Sequence, residues 1–106
     1  MADTYKLLYQ GQLAATPGTL YTVPSVTNVI VRHISVVNND TVNRTFALYR
    51  QGTAATNLIT PPAMLVPPGG MQEWDGAMAM AATETLRGVG SVASMLTVTI
   101  DGDEIT

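Results

Sequence analysis

The chain of 106 residues is predicted to be all-β. The expected fold is a single domain over residues 1–106, an antiparallel β-sandwich or flattened barrel (jelly-roll or immunoglobulin-like) of roughly eight strands. Three observations lead there. Short runs rich in Val, Thr, Ile and Tyr recur along the chain, separated by Gly, Pro, Asn and Asp, the spacing of strands and turns in sandwiches and barrels. Several runs alternate apolar and polar residues with period two, as a strand with one buried face requires. Finally, 46% of the residues are hydrophobic and only 12% charged, a composition that buries a core and does not stay solvated as a disordered tail does.

The predicted strands, in order, are 5–13, 19–23, 27–38, 43–50, 57–59, 64–66, 71–74, 77–81, 85–89 and 95–101. The last is the clearest. In MLTVTID, Leu96, Val98 and Ile100 face one side and Thr97 and Thr99 the other. In VNRTFALYR, Val42, Phe46 and Leu48 alternate with Asn43, Thr45, Ala47 and Tyr49. Ile34, Val36, Phe46, Leu48, Leu96, Val98 and Ile100 are the expected core. The segment DGAMAMAATETLRG has Ala and Met enough for a short helix, but is read as two strands with a turn near residues 82–84.

The connections carry their own signals. TPGT (16–19) puts Pro before Gly, which suits a turn with positive φ at its third residue. NNDT (38–41) is rich in side chains that cap their own backbone. TPPAMLVPPGG (60–70) carries four prolines, which cannot donate to a central ladder, so it belongs at an edge or in a long connection.

Composition excludes whole classes of function. Net charge is −3, and the five basic residues Lys6, Arg32, Arg44, Arg50 and Arg87 are scattered, whereas a nucleic-acid surface needs them clustered. No segment is apolar enough to span a bilayer and MADTYKLLYQ lacks the pattern of a signal peptide, so a soluble product of a cytoplasm is expected. With no cysteine, disulfides, thiolate metal sites and thiol nucleophiles are all ruled out.

The single histidine, His33, lies in NVIVRHISVVN, where strict alternation fails: Val29 and Val31 have one parity, Ile34 and Val36 the other. One extra residue at Arg32–His33, a β-bulge, would put all four apolar residues inward and both polar residues outward. Alternatively Ile30, Ile34 and Val36 point inward with Arg32 at the rim. On the bulge reading His33 faces solvent with no sequence neighbour to hold it as a general base. Ser25, Ser35, Ser91 and Ser94 lack a nucleophile elbow, and GVGSV (88–92) lacks the Lys and helix of a phosphate loop. Asp101, Asp103 and Glu104 in DGDE could serve a hard cation, or simply form a solvated turn after the last strand. Trp74 is expected as a packing anchor for the core or a subunit contact, with a sugar platform (Trp74, Tyr21 or Tyr49) as the competing use. No catalytic residue, cofactor or metal ligand is predicted.

The order of features has a family resemblance. L-x-x-G-x-L (Leu8, Gly11, Leu13) is followed by TLYTVP (19–24), an I-x-V-x-N strand (Ile34, Val36, Asn38), FALY, LVPPGG (65–70), a polar strand and TVTIDGDEI. Over residues 8–105 this resembles the small β-sandwich virion proteins of tailed bacteriophages that decorate heads or complete tails. The resemblance implies a non-enzymatic structural protein, made in the host cytoplasm and carried on the virion. For a head decoration (cement) protein it implies many copies on the outer capsid surface, bound to the major capsid protein and often trimeric; a tail or fibre location stays open. The Pro-rich edge and MQEW after it are the expected subunit-facing surface. They combine Met64, Leu65, Met71 and Trp74 with prolines that lower the ordering cost of docking.

Overall fold

The computed structural model describes residues 3–106. Its strands are β1 (Asp3–Gln12), β2 (Gly18–Thr22), β3 (Asn28–Asn38), β4 (Arg44–Arg50), β5 (Met64–Val66), β6 (Met71–Met80), β7 (Thr85–Gly90) and β8 (Leu96–Ile105). They form two four-stranded antiparallel sheets, ordered β1-β8-β3-β6 and β2-β7-β4-β5. The first half of the chain therefore pairs with the second half in reverse, β1 with β8, β2 with β7, β3 with β6 and β4 with β5. This long hairpin is wrapped so that β8 also meets β3 and β7 meets β4. An eight-stranded double sheet so wound is a jelly-roll sandwich, which decides between the architectures the sequence left open.

The seven expected core residues are all buried, from 0% exposed at Leu96, Val98 and Ile100 to 4% at Phe46. They join Leu13, Val23, Val29, Val31, Val66, Met80 and Leu86 in one cluster between the sheets. Alternation explains the selection: β8 buries Leu96, Val98 and Ile100 while Thr97 and Thr99 stay half-exposed.

The break in β3 is a bulge. The register shifts between Val31 and His33 against both β6 and β8, so Val29, Val31, Ile34 and Val36 are all buried and Arg32 and His33 turn outward. At the same level β1 bulges between Leu7 and Tyr9. A Cβ on Gly102 would run into the Ile30 carbonyl and the Val31 backbone, so this glycine lets β8 lie close against the bulged segment of β3.

Several local expectations need correction. Residues 57–59 do not form a strand. A 3-10 turn covers Ala55–Asn57 and only an isolated bridge joins Leu58 to Tyr49. The runs 71–74 and 77–81 belong to one strand, β6, interrupted by its register shift against β3. Gly18 opens β2 without positive φ; the glycine that adopts it is Gly69, at +68°. There Pro68 and Gly69 are the central residues of a turn closed by Gly70 N–H donating to the Pro67 carbonyl at 2.9 Å, the type II preference for Pro then Gly. The DGDE run is not a turn, because β8 continues to Ile105.

Candidate functional site

The two sheets do not match along one side of the sandwich. β6 has ten residues, whereas β5 has three and pairs with β4 only through Arg44, Thr45 and Phe46. Beyond Phe46, residues 51–63 satisfy the β4 backbone in place of a strand: Ile59 N–H donates to the Leu48 carbonyl (2.9 Å) and Leu48 N–H to Thr60 Oγ1 (3.1 Å). A connection cannot fill the space a strand's side chains would fill. An apolar cleft of about 110 Å³ remains between the β5 and β6 edges, floored by Ile34 and Phe46 and flanked by Ile59, Met64 and Trp74.

Trp74 reaches the cleft from the inward face of β6. A Cβ on Gly76 would stand 3.2 Å from its indole, so the ring lies along its own strand over a residue with no side chain. Met64 and Trp74 are partly buried against the core. Leu65 and Met71 have the opposite strand parity and are 49% and 53% exposed, each on the outer face of its own sheet. The four residues expected at an interface thus surround one edge of the molecule, two inside its cleft and two on its flanks. They do not share a single flat face.

The other aromatic candidates lie apart. Tyr21 packs against the core and its hydroxyl donates to Glu104 Oε2 at 3.4 Å; burial, then the Glu104 charge, raises its pKa above 10.0. Tyr49 lies two strands away in the same sheet as Tyr21, opposite Arg87, and Trp74 belongs to the other sheet. Trp74, Tyr21 and Tyr49 therefore do not build one stacking platform.

His33 has partners that sequence order did not disclose. Its Nδ1 donates to Asp75 Oδ1 at 2.5 Å, and its Nε2 lies 3.8 Å from Glu73 Oε2. Both carboxylates come from β6, where Glu73 and Asp75 share the outward parity, and Asp101 of β8 stands opposite His33 on its other side. The hydrogen bond to Asp75, reinforced by the charges of Asp75, Glu73 and Asp101, holds the imidazole pKa above its ordinary 6.5 against a smaller opposing effect of burial. Asp103 instead takes Arg32 Nε at 2.9 Å, and Glu104 faces Lys6 and Tyr21, so the three DGDE carboxylates do not converge on one point.

No family model matches the chain, and no curated protein matches it either.

Proposed function

We propose that this chain is a non-enzymatic structural protein of a tailed-bacteriophage virion, a decoration protein on the outer head surface that bridges neighbouring major-capsid subunits as a homotrimer. The observation that carries the reading is the apolar cleft at the β5–β6 edge. It is a preformed, partly desolvated pocket with Trp74 and Met64 in its walls, and exposed Leu65 and Met71 stand on either flank. Buried aromatic anchors in such pockets dominate the energy of protein interfaces. The neighbouring prolines Pro61, Pro62, Pro67 and Pro68 fix the backbone beforehand, which lowers the ordering cost of docking.

The low charge content and the family resemblance support the same reading. A protein of this kind works by mass action. Each contact is modest, but many copies bound only to the intact shell raise the cost of separating its subunits.

Gold-labelled antibody on purified virions, together with heat-induced DNA release from particles lacking the protein, tests this. Label over heads and DNA loss at lower temperature from depleted particles are expected. Trp74→Ala should weaken docking or trimer formation by at least about 2 kcal/mol, roughly thirtyfold. Met71→Glu, on an exposed side chain that leaves the core intact, should weaken it too. Label confined to tails, or depleted heads as heat-resistant as complete ones, would refute the cement assignment; tail label would move the same fold to a tail or fibre role.

A further inference from the structure

The negative charge of this protein is not evenly matched. Of its eight carboxylates, Asp40, Glu84, Asp103 and Glu104 are paired with Arg44, Arg50, Arg32 and Lys6. Among the described residues no lysine or arginine forms an ion pair with Glu73, Asp75 or Asp101. These three surround His33 on the outer face of the β1-β8-β3-β6 sheet. The bulge has turned Arg32 toward Asp103, so the one nearby guanidinium is already engaged.

We propose that His33, Glu73 and Asp75 form a binding site for a late first-row divalent cation such as zinc. One donor atom from each residue lies within 4.8 Å of the others. Zinc bonds imidazole nitrogen and carboxylate oxygen at about 2.0–2.2 Å, which needs donors about 3–3.5 Å apart. Closure onto Nδ1, the nitrogen that meets Asp75, needs a side-chain rotation that brings Glu73 over from the Nε2 side; the Cα positions are set by strand pairing, His33 standing directly across from Asp75 with Glu73 two residues away on the same face. The metal takes His33 Nδ1 in place of the proton that bonds to Asp75; from imidazolium that proton leaves to solvent, and from neutral imidazole it moves to Nε2. Asp101 adds a third negative charge from the opposite side.

The donor set selects the ion. An imidazole nitrogen favours zinc, nickel, cobalt or copper, while calcium and magnesium prefer all-oxygen shells. With one histidine and no cysteine in the chain, no second nitrogen–sulfur ligand set competes. Three protein donors leave positions for water, and the exposure of Glu73 and Asp75 (44% and 74%) makes the site open. The inference does not rest on a virion role.

The test is calorimetric titration of the purified full chain with zinc chloride, with nitrogen-correlated NMR of its single imidazole recorded alongside. One zinc per chain should bind, moving the imidazole nitrogen resonances. His33→Ala and Asp75→Asn should each weaken binding at least about tenfold, and calcium or magnesium should not displace the metal. An imidazole signal unmoved at millimolar zinc would overturn the assignment whatever the folding of the variants. Zinc binding that survives His33→Ala, or calcium binding as tightly as zinc, would overturn it equally.

Discussion

Asn38 ties the end of β5, the strand that borders the cleft, to β3, and replacing it should cost far more than its size suggests. It ends β3, is 1% exposed, and its side chain makes three hydrogen bonds. Nδ2 donates to the Val42 and Val66 carbonyls, each at 2.9 Å, and Oδ1 accepts from Asp40 N–H at 2.8 Å. Its backbone holds the turn before β6, donating to the Gly70 carbonyl at 3.0 Å and accepting from Gly69 at 3.1 Å. The side chain thus fixes the end of β5 relative to β3. Asn38→Ala removes all three side-chain bonds. The bonds to Val42 and Asp40 are only part-buried and their partners can turn to water, for about 1 kcal/mol each. The Val66 bond is fully buried, and stranding its carbonyl adds about 1–3 kcal/mol. A loss of about 3–5 kcal/mol follows, roughly 12–40 °C in melting temperature for a domain of this size. Asn38→Asp should cost at least as much, because a carboxylate cannot donate to two carbonyls. Asn39→Ala, which loses only an exposed bond to Thr97, should cost below about 1 kcal/mol. Equilibrium urea unfolding measures all three at constant m. A loss below about 1 kcal/mol for Asn38→Ala, or one no larger than for Asn39→Ala, would refute the reasoning.

Gly102→Ala should destabilise by several kcal/mol, about 3 or more, because the new methyl meets the Ile30 carbonyl. Gly18→Ala meets nothing within 4 Å and should be neutral or stabilising by up to about 1 kcal/mol; comparable losses in urea unfolding would remove the distinction. Val26 is a β-branched residue at φ 53° and 93% exposed, so Val26→Asn should raise the unfolding free energy by about 1 kcal/mol, and no gain would mean the loop relaxes without it. The Glu84 carboxyl is held below its ordinary 4.5 by the Ala81 N–H and then Arg50, and Asp40 below 3.8 by the Thr41 N–H and then Arg44. A depressed native pKa gives stability that is complete above the unfolded value and lost as pH falls through the native one. The wild type should therefore lose its stability advantage over Glu84→Gln as pH drops below about 4.5; an advantage unchanged down to pH 2 would contradict the sign.

Much of this fold was readable in sequence because strand periodicity is a local signal. Leu96, Val98 and Ile100 announce their face within five residues, and the β3 bulge announces itself as a parity change between Val31 and Ile34. What eluded reading was set by pairing across distance. The partner of His33 lies 42 positions away, on a strand whose own register shift made 71–74 and 77–81 look like separate elements. Leu58 and Ile59 look like strand residues, yet the short β5 leaves them only an isolated bridge and a closing hydrogen bond. TPGT and PPGG carry the same turn signal, and only the second, which must return β5 to β6 across the sandwich edge, uses the left-handed glycine.

β6 joins both candidate surfaces, and its alternation keeps them apart. Trp74 points inward to the apolar cleft, while Glu73 and Asp75 on either side of it point outward to His33. As an edge strand, β6 presents one unpaired backbone row, and acidic side chains along such an edge discourage pairing with a foreign strand. The carboxylates therefore guard the edge against a foreign strand as well as supplying the proposed cation site. These uses differ in what they require of His33. Edge protection needs only negative charge, and His33→Ala would leave it whole or strengthen it. Cation binding needs the imidazole nitrogen itself. Substitutions at Trp74 and His33 thus perturb opposite faces of the sandwich, and an effect of one on the function of the other would have to travel through β6 as a unit.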